Sequence, residues 1–387
     1  MVIVLSILVG LSLVYWLFQS INLVRVIRAM PLLARQPDPE RGSWPKVSVV
    51  STACNEGEAI AGAVRTKLAD NYPNAEYILV EDRSTDDTPQ ACDRFAAEDG
   101  RLEVVHVTGL PLGWLGKLNA LEQGRLRSSG EWLLFSDADV RFTNHALRRA
   151  IAYAESRELD HLAVLPELEY VNWYLEPVLS IFVRTICLVG QVWNVEDPKS
   201  KTAAGVGSFN LVRREALERA GGFAPIRMEV GDDLSLGRLL KYSGARQSLM
   251  NGRGCLSVPI IRSLAEGARS AERATWTEIG RFSLARLLGM AVFLLVGELG
   301  VFAGLLPGLP AWLRVAAASG VGLSLVASIA ANVWANGRWL GALFWPYALV
   351  VQVAAMVRAG VLGAARGGIR WRGTFYSNAD LKAGKRF

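Results

Sequence analysis

Carboxylates recur in this chain directly after short β-branched runs. Asn55 and Glu56 follow Val47 to Thr52, Glu81 and Asp82 follow Tyr77 to Val80, and Asp137-Ala138-Asp139 follows the run that starts at Trp132. If each run is a strand of one parallel sheet, these side chains gather at the carboxyl ends of the strands, where open α/β sheets bind ligands. An Asp-x-Asp in such a loop presents hard oxygens to Mg²⁺ or Mn²⁺ and leaves other coordination positions for diphosphate oxygens and water. A lone Asp-x-Asp is usually a solvated turn; the shared location of three acidic turns is what favours a site. A further pair, Asp232-Asp233, precedes an amphipathic run with Leu236, Leu239 and Leu240 that ends at Gly244, so both carboxylates stand at a helix start. Complementing the helix dipole is the ordinary role of such a pair. A carboxylate kept ionised there beside a second one also suits a general base. Lys117 opens another helix after Gly113-Trp114-Leu115-Gly116, where a cation opposes the dipole but is placed to meet a diphosphate. A solvated lysine fits the same pattern equally well.

Other chemistries lack their residues. There is no Walker lysine loop, and Cys54-Asn55-Glu56 stands where a dinucleotide fold would carry Gly-x-Gly-x-x-Gly. His106, His145 and His161 are the only imidazoles, and none has a serine beside it to suggest a hydrolase triad. Cys54, Cys92, Cys187 and Cys255 are too far apart for zinc spacing or a disulfide framework, which points to a reducing compartment for the middle of the chain.

The elements that must hold these residues follow from periodicity. Strands are expected at Val47 to Thr52, Tyr77 to Val80, Leu102 to Val107 and Trp132 to Ser136. Helices are expected at Glu58 to Asp70, from Thr88 with Pro89 in its first turn, and at Lys117 to Ser128. This alternation over residues 46–277 makes the fold class α/β, one domain with a mostly parallel sheet.

Of the 387 residues, 51% are hydrophobic and 20% charged, so a disordered tail protein is excluded. The net charge of +6 is unevenly spread. Residues 1–45 carry four Arg against two acids and residues 278–387 eleven basic residues against three acids, which leaves the middle acidic. Basic flanks beside apolar runs suit membrane headgroups and exclude a nucleic-acid partner. Met1 to Val24 is uncharged and followed by Arg25, Arg28 and Arg35, the pattern of a signal anchor (1–24) with a cytoplasmic domain after it, as in a bacterial-type inner membrane. Three apolar segments close the chain: Leu287 to Leu313, Val315 to Gly337 and Trp339 to Val357. Three crossings would put the basic tail, 358–387, outside the membrane. Trp339 to Val357, the shortest and interrupted by Pro346, is therefore expected to be re-entrant or interfacial. Ile260-Ile261 and an amphipathic helix over Ile279 to Leu288 are expected at the bilayer surface, within a membrane region of 278–357.

Over residues 46–285 the sequence resembles the family 2 inverting glycosyltransferases of the GT-A fold. Val47-Ser48-Val49-Val50 with Asn55-Glu56 is similar to that family's opening strand, and Val80-Glu81-Asp82-Arg83-Ser84-Thr85-Asp86-Asp87-Thr88 to its nucleoside-binding turn. Gly113-Trp114-Leu115-Gly116-Lys117-Leu118-Asn119-Ala120-Leu121, with Asp197-Pro198 and Thr202-Ala203-Ala204, resembles the hopene-associated branch and transferases acting on polyprenoid lipids. The resemblance implies that Asp82 reads the nucleoside, that Asp137 handles the ribose and Asp139 the metal, and that Asp233 is the catalytic base. Asp232 stands where the family more often has Glu. It further implies a nucleotide-sugar donor, a uridine diphosphate sugar first among them, and a lipid acceptor. Processive polysaccharide synthases of the family carry Gln-x-x-Arg-Trp, which neither Glu278-Ile279-Gly280-Arg281-Phe282 nor Glu272-Arg273-Ala274-Thr275-Trp276 matches. A processive synthase is thus the disfavoured enzymatic alternative. A silent nucleotide-binding scaffold is the other alternative, and it would have no need of a base.

Overall fold

In the computed structural model the chain forms two compact units, described over residues 1–169, 172–259, 261 and 263–387 apart from the Glu58 side chain. The expected Ile260 surface contact lies outside the described residues. One unit, α/β, comprises Met30–Glu169, Asn194–Pro259 and Gly368–Phe387. The other comprises Met1–Ala29, Tyr170–Trp193 and Ile260–Gly367.

The strands of the α/β unit are β1 (Val47–Ala53), β2 (Ala75–Asp82), β3 (Leu102–Val107), β4 (Trp132–Phe135), β5 (Arg141–Phe142), β6 (His161–Leu165), β7 (Glu167–Leu168), β8 (Asn210–Arg213), β9 (Gln247–Asn251), β10 (Leu256–Val258), β11 (Gly368–Trp371) and β12 (Thr374–Ser377). Its helices are α1 (Ala61–Leu68), α2 (Thr88–Glu98), α3 (Gly116–Arg127), α4 (Ala146–Ser156), α5 (Arg214–Arg219), α6 (Asp232–Tyr242) and α7 (Asn378–Gly384). Seven strands form one sheet in the order β3-β2-β1-β4-β8-β6-β9. Its members run parallel except β8, which is antiparallel to β4 and β6. The α/β class with a mostly parallel sheet is as expected. Every residue of β1 is buried, because helices cover both faces of a central parallel strand, so its sequence reads as an unbroken β-branched run. Smaller sheets are β5-β10-β7 and the hairpin β11-β12.

The helix expected over Glu58 to Asp70 is shorter. A 3₁₀ turn, Gly57–Ile60, precedes α1, and Asp70 leaves the helix to cap α4, accepting the Ala146 and Leu147 N–H groups at 2.8 and 2.9 Å.

Among the described residues, four helices of the second unit are long and apolar enough to cross a membrane: Val2–Ala29, Leu284–Leu305, Ala311–Trp334 and Trp339–Arg366. Three expectations change here. The break between the first two C-terminal segments lies at Pro307 to Pro310 rather than at Arg314, which is carried inside the next helix. Pro346 does not interrupt its segment: it occupies the first turn of the helix Trp345–Arg366, where its missing N–H costs nothing. The amphipathic helix over Ile279 to Leu288 does not form. A π-helical turn, Thr275–Ile279, ends there, Arg281 and Phe282 adopt left-handed backbone, and the Ser283 hydroxyl starts a new helix by accepting the Arg286 N–H.

The domain limits also differ from 46–277 and 358–387. Tyr170–Trp193, with the helix Glu176–Val189, falls in the apolar unit, and Gly368–Phe387 falls in the α/β unit.

Candidate active site

The carboxyl ends of β1, β2 and β4 open on one rim, since register pairs Ala53 with Glu81 and Val50 with Phe135. Asn55 has left-handed backbone (φ 56°), and its side-chain oxygen accepts the Thr85 N–H at 2.8 Å, tying the first acidic turn to the second. The Thr88 hydroxyl accepts the Glu56 and Gly57 N–H groups at 2.9 and 2.8 Å, while Asp86 accepts the Thr88 N–H at 3.0 Å. Thr88 therefore braces the first turn instead of capping its own helix. Asp82 is wholly buried between two guanidiniums, Arg83 Nε at 2.8 Å and Arg372 Nη1 at 2.8 Å.

Asp137 starts the Asp-x-Asp loop after β4. Its Oδ1 lies 2.8 Å from Lys117 Nζ, which lies 3.0 Å from Asp232 Oδ2. Lys117 is thus a bridge between two carboxylates rather than a free cation at a helix start. Burial opposes its charge, but Asp137 and Asp232 outweigh burial and hold the ammonium above its ordinary range. Asp233 Oδ2 accepts the Gly207 N–H at 3.0 Å and Oδ1 accepts the Leu234 N–H at 2.7 Å. Gly207 in turn accepts the Asp137 N–H on its carbonyl at 2.9 Å. A Cβ at Gly207 would stand 2.6 Å from Asp137 Oδ2, so a larger residue here would have to displace that carboxylate oxygen. Asp233 is pushed up to about 6, by burial first and by Asp232 second, with Lys117 opposing. A carboxylate in that range is the more basic for it, as proton abstraction requires.

Asp139 is raised by burial and then by Asp137, and Glu56 by burial and then by Asp139. These groups repel one another at the end of the sheet. Among the described residues no three His, Cys, Asp or Glu side chains converge to hold a metal by themselves. The donor set does fit a divalent cation: Asp137 and Asp139 are hard oxygen donors whose mutual repulsion a cation relieves, with the remaining coordination left to substrate oxygens.

Sequence reasoning missed Lys67. Its ammonium is buried under the Asp137 loop, donating to the Ser51 hydroxyl at 3.1 Å and to the Asp137 and Ala138 carbonyls at 2.5 and 3.5 Å, and burial lowers it to about 8. The signal was present, since Lys67 shares the inward face of α1 with Val64. Also missed were Thr52 and Gly207, and with them the C-terminal segment that brings Arg372 to Asp82. None of the three histidines enters the site: His106 pairs with Asp93 and Glu81, His145 with Asp38, and His161 with Asn210.

Residues 48–221 match the family model described as glycosyl transferase family 2. Over 205 residues the chain is 27% identical to a beta-monoglucosyldiacylglycerol synthase of Nostoc sp., covering 51% of this chain and 41% of that one. Over 134 residues it is 31% identical to glycosyltransferase AglD of Haloferax volcanii, covering 33% and 20%. The chain thus spans less than half the length of these curated relatives. A mannosyltransferase of Pyrobaculum calidifontis, solved in complex with GDP-Man and Mn²⁺, shares the fold with a TM-score of 0.55 at 19% identity, over 93% of this chain and 99% of that one.

Proposed function

We propose that this chain is a membrane-bound inverting glycosyltransferase that moves a sugar from a nucleoside diphosphate sugar, a uridine diphosphate sugar first among candidates, onto a lipid hydroxyl. The observation that carries the reading is Asp233, raised in basicity and linked through Gly207 to the strand-end carboxylate Asp137. Asp233 takes the proton of the acceptor hydroxyl, whose oxygen attacks the anomeric carbon from the face opposite the diphosphate. One displacement inverts that carbon and needs no covalent enzyme intermediate. Asp82 reads the nucleoside, Asn55 and Glu56 line the first turn, and Lys117 holds Asp137 and Asp232 in place. Asp139, with Asp137, would hold Mg²⁺ or Mn²⁺, which when bound offsets charge on the leaving diphosphate.

A lipid acceptor is supported by the name of the Nostoc relative and by the four long apolar helices. The Gly113–Leu121 motif favours a polyprenoid or hopanoid alcohol within that class. Arg25, Arg28 and Arg35 favour a cytoplasmic α/β unit.

The purified protein, incubated with a panel of labelled nucleotide sugars and extracted lipids, should yield one labelled lipid carrying a single sugar by mass spectrometry. A polymeric product would favour a processive synthase, and no product with any donor would favour the silent scaffold.

A further inference from the structure

Lysine is seldom buried unless its charge is matched. Lys67, in the last turn of α1, is 3% exposed, and it is matched by backbone rather than by a carboxylate. Its ammonium meets the Ser51 hydroxyl on β1 and the Asp137 and Ala138 carbonyls at 3.1, 2.5 and 3.5 Å. An ammonium carries three N–H donors and no acceptor, the complement of these three oxygens. The centroid of the Phe142 ring lies 5.8 Å from Nζ.

The same end of α1 also holds the far end of the Asp-x-Asp loop. The Thr66 hydroxyl accepts the Phe142 N–H at 3.1 Å, and the Lys67 carbonyl accepts the Tyr77 hydroxyl at 3.0 Å, which ties the helix end to β2. Residues 137–142 are thus gripped at their start by Lys67 and at their end by Thr66. Between the two grips burial alternates: Ala138 and Val140 are buried, while Asp137 and Asp139 stay partly exposed. The loop turns its apolar side chains into the unit and its two carboxylates toward the rim. Lys117 sits on Asp137 Oδ1 and so occupies a carboxylate oxygen. Lys67 reaches main-chain oxygens of the loop instead, and takes none of the carboxylate oxygens that a cation needs.

We propose that Lys67 is a positioning residue for the divalent cation, holding the Asp137–Asp139 loop from beneath so that both carboxylates are set before the metal arrives. The inference rests on the reading that this pair holds the metal. Two effects of the ammonium oppose each other. Its charge repels an incoming cation, while its hydrogen bonds fix the loop that must bind one. Groups that orient metal ligands are worth about 10- to 100-fold in metal affinity. The repulsion is offset by the two carbonyl dipoles aimed at the ammonium, so positioning is the larger effect.

The test is calorimetric titration of the purified full-length protein with UDP, once with Mn²⁺ and once with chelator. K67M keeps most of the stem and loses the donors; the Asp137 carbonyl still accepts the Val140 N–H at 3.3 Å, so the variant should fold. Its UDP affinity in Mn²⁺ should fall about tenfold while its affinity in chelator stays that of wild type, a split that a general loss of stability would not produce. K67Q, with two N–H groups and no charge, should fall between wild type and K67M, and it carries the test alone if K67M is not recovered folded. A folded variant whose Mn²⁺-dependent gain in UDP affinity is unchanged, or larger because a repelling charge has gone, overturns the proposal. D139A separates this from the underlying reading: if it loses the Mn²⁺-dependent gain while the Lys67 variants keep it, Asp139 holds the metal without support from Lys67. If D139A keeps the gain as well, the metal assignment itself is wrong.

Discussion

Both units bury charged side chains, but they balance them differently. In the apolar unit Arg184 pairs with Glu298, their side chains 4% and 2% exposed, one cation against one anion. Tyr15 donates its hydroxyl to Glu298 at 2.8 Å, the Trp16 indole N–H donates to the Glu298 carbonyl at 3.1 Å, and the guanidinium lies 5.2 Å from the Trp16 ring centroid. In the α/β unit Lys117 alone bridges Asp137 and Asp232, while Asp233, Asp139 and Glu56 are raised by burial and by their carboxylate neighbours. The first cluster is charge-matched and joins the helices Val2–Ala29, Glu176–Val189 and Leu284–Leu299. The second carries surplus negative charge that folding alone does not relieve, the condition expected where substrate and cation supply the missing partner. A buried charge pair is therefore a poor guide to function until its balance is counted.

The largest effect should come from the unbalanced cluster. Asp233→Asn keeps the size and, through its one carbonyl oxygen, one of the two backbone contacts to Gly207 and Leu234, so the protein should fold and bind nucleotide much as before, while sugar transfer falls by about 10² to 10⁴. Transfer of label to lipid, set beside nucleotide titration, checks this. Near-normal turnover would reduce Asp233 to a dipole-complementing residue.

The balanced cluster should respond in stability instead. Glu298→Leu strands a buried guanidinium and should cost about 3–5 kcal/mol, whereas the double variant R184M/E298L should recover most of that loss. Denaturation in detergent measures both, and a double variant as unstable as the single one would contradict a purely charge-matched role.

Asp139→Ala should split the two properties. Relief of its repulsion with Asp137 should leave metal-free stability unchanged or slightly higher, within about 1 kcal/mol. Mn²⁺-dependent nucleotide binding should weaken at least tenfold, to the level of chelator-treated wild type, by calorimetry. Unchanged Mn²⁺-dependent affinity would remove Asp139 from the metal site.

The smallest effect is in pH. A base must be ionised to accept a proton, and Asp233 is raised to about 6. Transfer should hold steady above that value and decline as pH falls through it, by about tenfold per unit. The inflection should vanish from the residual rate of Asp233→Asn. A profile flat down to the ordinary carboxylate range would mean that neither burial nor the neighbouring Asp232 raises Asp233.

What the sequence determined by itself is what short-range pattern encodes. Apolar runs bounded by acidic turns located β1, β2, β3 and β4 to within a few residues and brought Asn55, Glu56, Asp82, Asp137 and Asp139 to one sheet edge. The physical reason is that a parallel strand buried on both faces must be apolar along its length, so the first polar residues mark its end. Pro346 and Arg314 misled because their effect depends on position within a helix, which composition does not report. Tertiary structure alone decided that Lys117 bridges Asp137 and Asp232, that Lys67 underlies the Asp137 loop, and that Glu298 meets Arg184. It also returned the basic tail to the α/β unit, across 290 positions from Arg372 to Asp82. Charged groups so distant in the chain meet only through the packing of the elements between them, and no local periodicity records which partner a long side chain will reach.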